Sequence, residues 1–340
     1  FGSSFQAGSR RSCLRGCICS RLAAMAWRAL RSLGALDKAA VLAVPAACGL
    51  ALAEAYDRSD TKDAEPASRC RCAAAGLALT PPRVRRLERE GFLVLEGAEA
   101  VLRGAELAAA RADARALRAG GRFSLTTNDG DVRQDRVCWV RETDGTPAAA
   151  TPEERAARPL GGGILHCCQL LRGVAHELER NGYRRSSGLR VPRQLQLACY
   201  PGDRSSHYVR HLDACVDSIL DMGLLGWLRA SDYRERAVTA ILYLNDPDWA
   251  IADEQAGDSA GRSQSSGGAL RLFVAPRGPA AHAGAACADA HVDVAPRGGT
   301  LVLFDSREVE HQVLPPAEER FALTCWIAVV PAAQMGDEPQ

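Results

Sequence analysis

Tyr208-Val209-Arg210-His211-Leu212-Asp213 places an imidazole and a carboxylate two residues apart. Strand side chains alternate, so an extended segment here presents His211 and Asp213 on one face. A second imidazole, His311, comes from a distant segment just after the apolar run Thr300 to Phe304. Two imidazoles and one carboxylate are the donor set of a mononuclear non-haem iron site. They cover one face of an octahedron and leave the other positions open for a bidentate co-substrate and dioxygen. An isolated H-x-D pair is weak by itself, because a solvent-facing strand carries the same pattern with no chemistry.

Arg320 raises the odds. It opens a strongly apolar stretch, Phe321 to Ile327, and a guanidinium at the head of a core strand is costly unless an anion meets it. Its fork suits a carboxylate. A dicarboxylate such as 2-oxoglutarate provides one: its keto-acid end chelates iron and its distal carboxylate reaches Arg320. The blander alternative is a strand-edge Arg bonded to a nearby Asp or Glu. The other histidines read as structural or solvated: His207 beside a loop, His166 and His176 on an amphipathic helix, His282 and His291 in or beside an insert. Cys17-x-Cys19 and Cys70-x-Cys72 lack the second half of a zinc site. Ser265 to Gly268 leads into a strand and not a helix, against a phosphate cradle.

The elements that must position these residues fall into two regions. Helical periodicity marks Arg83 to Glu90, Gly104 to Ala119 and Leu165 to Arg180, the last stopped by Asn181-Gly182, with a strand at Gly91 to Leu95. Thereafter the period becomes strand-like: Gln194 to Tyr200, Tyr208 to Asp213, Ala237 to Leu244, Ala269 to Val274, Thr300 to Phe304, Glu310 to Leu314 and Phe321 to Val330. Short strands following helices predict a mainly β fold with flanking helices, a double-stranded β-helix or jelly roll. Two Ala/Gly/Ser-rich inserts, Ala250 to Ser266 and Pro276 to Ala290, read as surface loops.

With 340 residues and 47% hydrophobic composition the chain can bury a real core. Residues 1–36 hold six Arg and no Asp, Glu or Lys; the net charge of +1 less this +6 leaves −5 elsewhere, which removes a general case for nucleic-acid binding. The thirteen Cys are scattered, and Cys138, Cys168, Cys199 and Cys325 sit in apolar runs as small hydrophobes, favouring a reducing compartment. Residues 1–53 form an Arg-rich then apolar leader with three readings: an organelle transit peptide, a secretory signal starting at Met25, or an Ala-rich disordered segment. Its apolar run is too short for a comfortable transmembrane helix. Residues 54–80 read as a polar linker and 81–335 as the catalytic domain.

Several blocks in order resemble the 2-oxoglutarate/Fe(II)-dependent dioxygenases, and among them the hypoxia-inducible-factor type of prolyl 4-hydroxylase. They are Ala198-Cys199-Tyr200-Pro201-Gly202, Tyr208 to Asp213, Leu242-Tyr243-Leu244-Asn245, Gly267 to Phe273, and His311 to Trp326. Arg at position 320, where collagen-type enzymes carry Lys, leans toward the oxygen-sensing branch. The resemblance implies iron held by His211, Asp213 and His311, and 2-oxoglutarate bound by Arg320 in a pocket lined by Tyr200, Leu270, Thr324 and Trp326. It also implies substrate contacts from Arg133, Asp135 and Arg236. The reaction implied is hydroxylation of a prolyl residue in a protein substrate, with Fe(II), 2-oxoglutarate, O2 and ascorbate as cofactors. By the same resemblance the setting is cytoplasmic or nuclear and linked to a hypoxia response. Two alternatives are an oxygenase acting on another side chain or a small molecule, and a non-catalytic jelly-roll binding module. One departure stands out: the family has two adjacent Tyr where this chain has Leu242-Tyr243. The resemblance implies that the first of them helps hold the co-substrate carboxylate, and Leu242 cannot donate that bond.

Overall fold

The computed structural model describes residues 64–67, 77, 79–125, 130–141, 160–183, 188–214, 233, 235–250, 267–274 and 290–329. The chain divides into two units, Phe1–Ser59 and Asp60–Gln340, and every described residue belongs to the second. The leader, both paired Cys motifs, His282 and nearly all of the two inserts lie outside the described residues. No helix among the described residues is long and apolar enough to cross a membrane.

Among the described residues, three α-helices precede the main run of strands. Helix α1, Pro81–Glu90, starts on prolines whose fixed φ suits a first turn and ends at Gly91 (φ 84°), whose N–H donates to the Leu87 carbonyl at 2.8 Å. Helices α2 (Gly104–Ala119) and α3 (Gly162–Arg180) pack together, with Gly163 against the α2 backbone at Ala109 and Ala110, too close for a Cβ. No local side chain caps α3. Instead Asp113 of α2 accepts the N–H groups of Gly163 (2.8 Å) and Ile164 (3.1 Å). Asp113→Ala is therefore expected to lower unfolding free energy by about 1 kcal/mol, the usual cost of a lost N-cap, measured by urea denaturation.

Thirteen strands are present among the described residues: β1 Glu65–Pro66, β2 Phe92–Leu95, β3 Ser124–Leu125, β4 Arg136–Arg141, β5 Leu189–Val191, β6 Gln194–Tyr200, β7 Tyr208–His211, β8 Arg236–Tyr243, β9 Leu270–Phe273, β10 His291–Val294, β11 Leu301–Asp305, β12 Glu310–Val313 and β13 Arg320–Val329. They form two antiparallel sheets. The larger runs β2-β11-β8-β13-β6-β4-β3, with β5 on β13 and β1 on β5; the smaller runs β10-β9-β12-β7. This is the jelly roll that the short strands predict. Five strands escape periodicity: β1, β3 and β5 are two or three residues long, β4 carries Arg at both ends, and β10 adjoins an insert. Residues 54–80 contribute β1 and the buried Ala67, Leu77 and Leu79, so folded sequence begins ahead of Pro81.

Strand parity gives the large sheet two apolar faces. Leu195, Leu197 and Cys199 of β6, Ala240 and Leu242 of β8, and Phe321, Leu323 and Cys325 of β13 join the helices in one core. Ala198 and Tyr200, Ile241 and Tyr243, and Ala322 fall on the opposite face, which meets Leu270, Leu272 and Val313 of the small sheet. Cys138, Cys168, Cys199 and Cys325 are buried thiols, as their apolar surroundings predict. Anything on the even positions of β6 and β13, or the odd positions of β8, therefore points between the sheets. That space is the site.

Candidate metal and co-substrate site

His211 and His311 face each other directly across the β7–β12 pair. Their rings lie 4.2 Å apart between centroids, with Tyr208 stacked on His211 at 3.7 Å and Phe304 against His311 at 4.6 Å. Strand β7 ends at His211, and Asp213 occupies the bend after it. Its carboxylate still converges: Oδ1 is 3.7 Å from His211 Nε2, and Oδ2 is 3.7 Å from His311 Nε2. One ligand atom from each of the three lies within 4.8 Å of the others. Sequence spacing suggested a shared strand face; the bend does the work.

The imidazoles are held in the tautomer a metal needs. Nδ1 of His211 lies 2.7 Å from the Val209 carbonyl and Nδ1 of His311 lies 3.3 Å from that of Val309. A carbonyl only accepts, so each Nδ1 carries the proton and each Nε2 turns its lone pair to the centre. Burial pushes the His311 pKa down to about 4, against the opposing pull of Asp213, so the ring is neutral at ordinary pH. Burial alone would raise the Asp213 pKa, but His311, His211 and Arg236 outweigh it and hold the carboxyl well below its usual range. Two neutral imidazoles and one carboxylate fit Fe(II) and leave room for other ligands.

Arg320, first residue of β13 and paired with Tyr200, reaches into the same cavity of about 200 Å³. It is 1% exposed, and among the described residues no carboxylate pairs with it. Its Nη2 donates to the Tyr243 hydroxyl at 3.3 Å, its Nε has no partner, and the Tyr200 and Tyr243 rings flank it at 5.0 and 4.9 Å. A local Asp or Glu partner, the blander reading, is not found there. A buried, anion-free guanidinium is costly by itself, and it fits the distal carboxylate of 2-oxoglutarate.

Tyr200, Leu270, Thr324 and Trp326 line this cavity, as do Arg133 and Arg236. Asp135 does not: it is fully buried behind the wall in a two-pronged pair with Arg133, whose Nη2 also donates to Gln196 Oε1 at 2.7 Å. Burial disfavours the Arg133 charge, yet the Asp135 pair more than offsets this and holds its pKa above the ordinary value. Arg236 lies against the Trp326 ring at 4.0 Å and the Tyr233 ring at 4.2 Å, and donates to the Asp213 carbonyl at 3.0 Å.

The expectation about Leu242 is overturned. Its side chain lies in the helix-side core at 0% exposure, and Tyr243 is the residue that meets Arg320. Parity along β8 carried that signal: Tyr243 shares its face with Ile241 and Thr239. No co-substrate bond is lost at 242. Sequence reasoning also left out Gln196, Ile241 and Tyr233, all of which line the cavity. Residues 197–232 separate Gln196 from Tyr233 and Ile241 in sequence, so only folding brings them together.

Residues 195–328 match the model of the 2OG-Fe(II) oxygenase superfamily. The chain is 24% identical over 197 residues to a hypoxia-inducible factor prolyl hydroxylase of Caenorhabditis elegans, an alignment covering 58% of this chain. It spans about a fifth of the length of that curated relative (20%). Among solved structures it resembles a prolyl hydroxylase of Trichoplax adhaerens in complex with a hypoxia inducible factor peptide fragment (20% identity, 80% of this chain and 96% of that one, TM-score 0.50). A Pseudomonas putida prolyl-4-hydroxylase is also similar (22%, 74% and 98%, TM-score 0.47). Residues 195–328 thus resemble a 2OG-Fe(II) oxygenase domain in sequence, and the chain shares the fold of a prolyl hydroxylase.

Proposed function

We propose that this chain is a peptidyl-prolyl 4-hydroxylase, which oxidatively decarboxylates 2-oxoglutarate while hydroxylating a prolyl residue of a protein. The observation that carries the reading is the carboxylate-free guanidinium of Arg320 sharing one cavity with His211, Asp213 and His311. Similarity to the hypoxia-inducible factor enzyme supports the prolyl substrate. In this reading Fe(II) is held by Nε2 of both histidines and by the Asp213 carboxylate, and supplies the activation of dioxygen that protein side chains lack. Of the two oxygen atoms, one enters the succinate formed with carbon dioxide and the other enters the substrate as hydroxyl.

The chain's own residues bind, orient and exclude water. Arg320 takes the distal carboxylate, and the Tyr243 hydroxyl steadies its guanidinium. Tyr200 and Tyr243 stay neutral phenols because burial raises both pKa values. Ile241, Leu270 and Val313 keep the floor dry, which strengthens every charge interaction there. Trp139 and Tyr233, 44% and 49% exposed, stand at the rim as apolar surfaces for a peptide. Ascorbate dependence and a hypoxia response belong to the same proposal.

The test is succinate release with proline-containing peptides, with mass spectrometry locating the added oxygen. Succinate formed with no oxidised proline moves the reading to another side chain or a small molecule. A properly reconstituted sample that binds no iron leaves a non-catalytic module. Tyr243→Phe is expected to raise the KM for 2-oxoglutarate about three- to tenfold with kcat little changed, the worth of one hydrogen bond. Leu242→Ala should instead cost about 2–5 kcal/mol of stability, as a core truncation does, and leave that KM alone.

A further inference from the structure

Asp213 lies beyond the end of β7, so something other than its own strand must aim it. Its carboxylate Oδ2 accepts from the Thr239 hydroxyl at 2.7 Å, and Thr239 Oγ1 lies 2.9 Å from Ser306 Oγ. Both hydroxyl residues are 0% exposed. The backbone runs through the same point. The Ala214 N–H donates to the Ser306 carbonyl at 2.9 Å, and the Ser306 N–H donates to the Ala237 carbonyl at 3.0 Å. Arg236 Nη1 donates to the carbonyl of Asp213 itself. The bend after β7 in the small sheet is thus clasped to β8 and to the turn after β11 in the large one.

The direction of the hydroxyl chain follows from chemistry. An ionised carboxylate only accepts, so Thr239 must donate to it; a hydroxyl has one proton, so the Thr239–Ser306 bond must be donated by Ser306. The chain runs Ser306 to Thr239 to Asp213, and each bond polarises the next. Oδ2 thus takes the hydroxyl donor while lying 3.7 Å from His311 Nε2, and Oδ1 lies 3.7 Å from His211 Nε2 with no hydroxyl partner. We infer that Thr239 and Ser306 are positioning residues: they hold the Asp213 carboxylate in the orientation that brings it toward Nε2 of both His211 and His311. This rests on the metal-site reading above. It adds two residues that no motif in the sequence marks.

Metal affinity tests it without any turnover. Purified protein freed of metal is titrated anaerobically with Fe(II), and with Co(II), whose visible absorption reports coordination number, while thermal unfolding monitors the fold. Thr239→Val keeps the shape and removes the donor. It is expected to weaken metal binding about 10- to 100-fold, the range for losing a partner that orients a ligand, and to change the Co(II) spectrum as the carboxylate loses its fixed orientation. Thr239→Ser keeps the hydroxyl and should restore both. Ser306→Ala, one bond further back, should give a smaller loss in the same direction, and it carries the test if Thr239→Val fails to fold. Wild-type affinity and spectrum in folded Thr239→Val, or an equal loss in Thr239→Ser, would overturn the inference. Wild-type protein that binds no metal would overturn the site reading as well, which separates the two failures.

Discussion

Arg320→Met is expected to make the metal-free protein more stable while removing its response to 2-oxoglutarate. The two effects have one cause. Arg320 is 1% exposed, and among the described residues its side chain makes one long hydrogen bond, to a phenol. A buried charge without its counter-ion pays its desolvation in full, and well-packed apolar replacements of buried charges are often stabilising by about 1–4 kcal/mol. Met is close in length, so the flanking Tyr200 and Tyr243 rings keep a packing partner. Wild-type protein should gain stability as 2-oxoglutarate is added with metal present, because the ligand binds only the folded state. In Arg320→Met that gain should vanish. Thermal unfolding with and without 2-oxoglutarate measures both; a variant that keeps the full ligand-dependent gain would show the anion is held elsewhere.

Asp213→Ala should remove metal binding and, with it, all turnover. It deletes the anionic donor, leaving two neutral imidazoles to hold a dication, and it strands the Thr239 hydroxyl in a buried site. The affinity loss should exceed the roughly 10- to 100-fold seen when only a residue orienting a ligand is changed. Metal titration and succinate release together check it. Full activity in the variant would refute the ligand set. The variant's stability is a separate readout: without Asp213 the buried His311 loses the charge that favours its protonated form, and its pKa moves further below about 4.

The chemistry-bearing residues were legible because their types are rare in apolar strands. His211, Asp213, His311 and Arg320 each stand out against the Val, Leu and Phe around them. The helices α1 to α3 and eight of the strands followed from periodicity, to within a few residues at their ends. Strands of two or three residues were not legible, since so short a run has no period to detect. Leu242 shows a subtler limit. The alternation is visible in the sequence, but which parity faces the cavity depends on which face of β8 the helices cover.

What the amino-acid order determined by itself, then, is the inventory: two imidazoles, a carboxylate and a guanidinium, on a chain patterned for short antiparallel strands behind a few helices. Tertiary structure decided their relations. His211 meets His311 because β7 and β12 pair in that register, Asp213 is turned by hydroxyls from β8 and the turn after β11, and Tyr243 rather than Leu242 faces Arg320. The reason is physical. Local sequence sets how side chains alternate, whereas which faces become interior is settled only when two sheets and a helical layer compete to bury the same apolar surface.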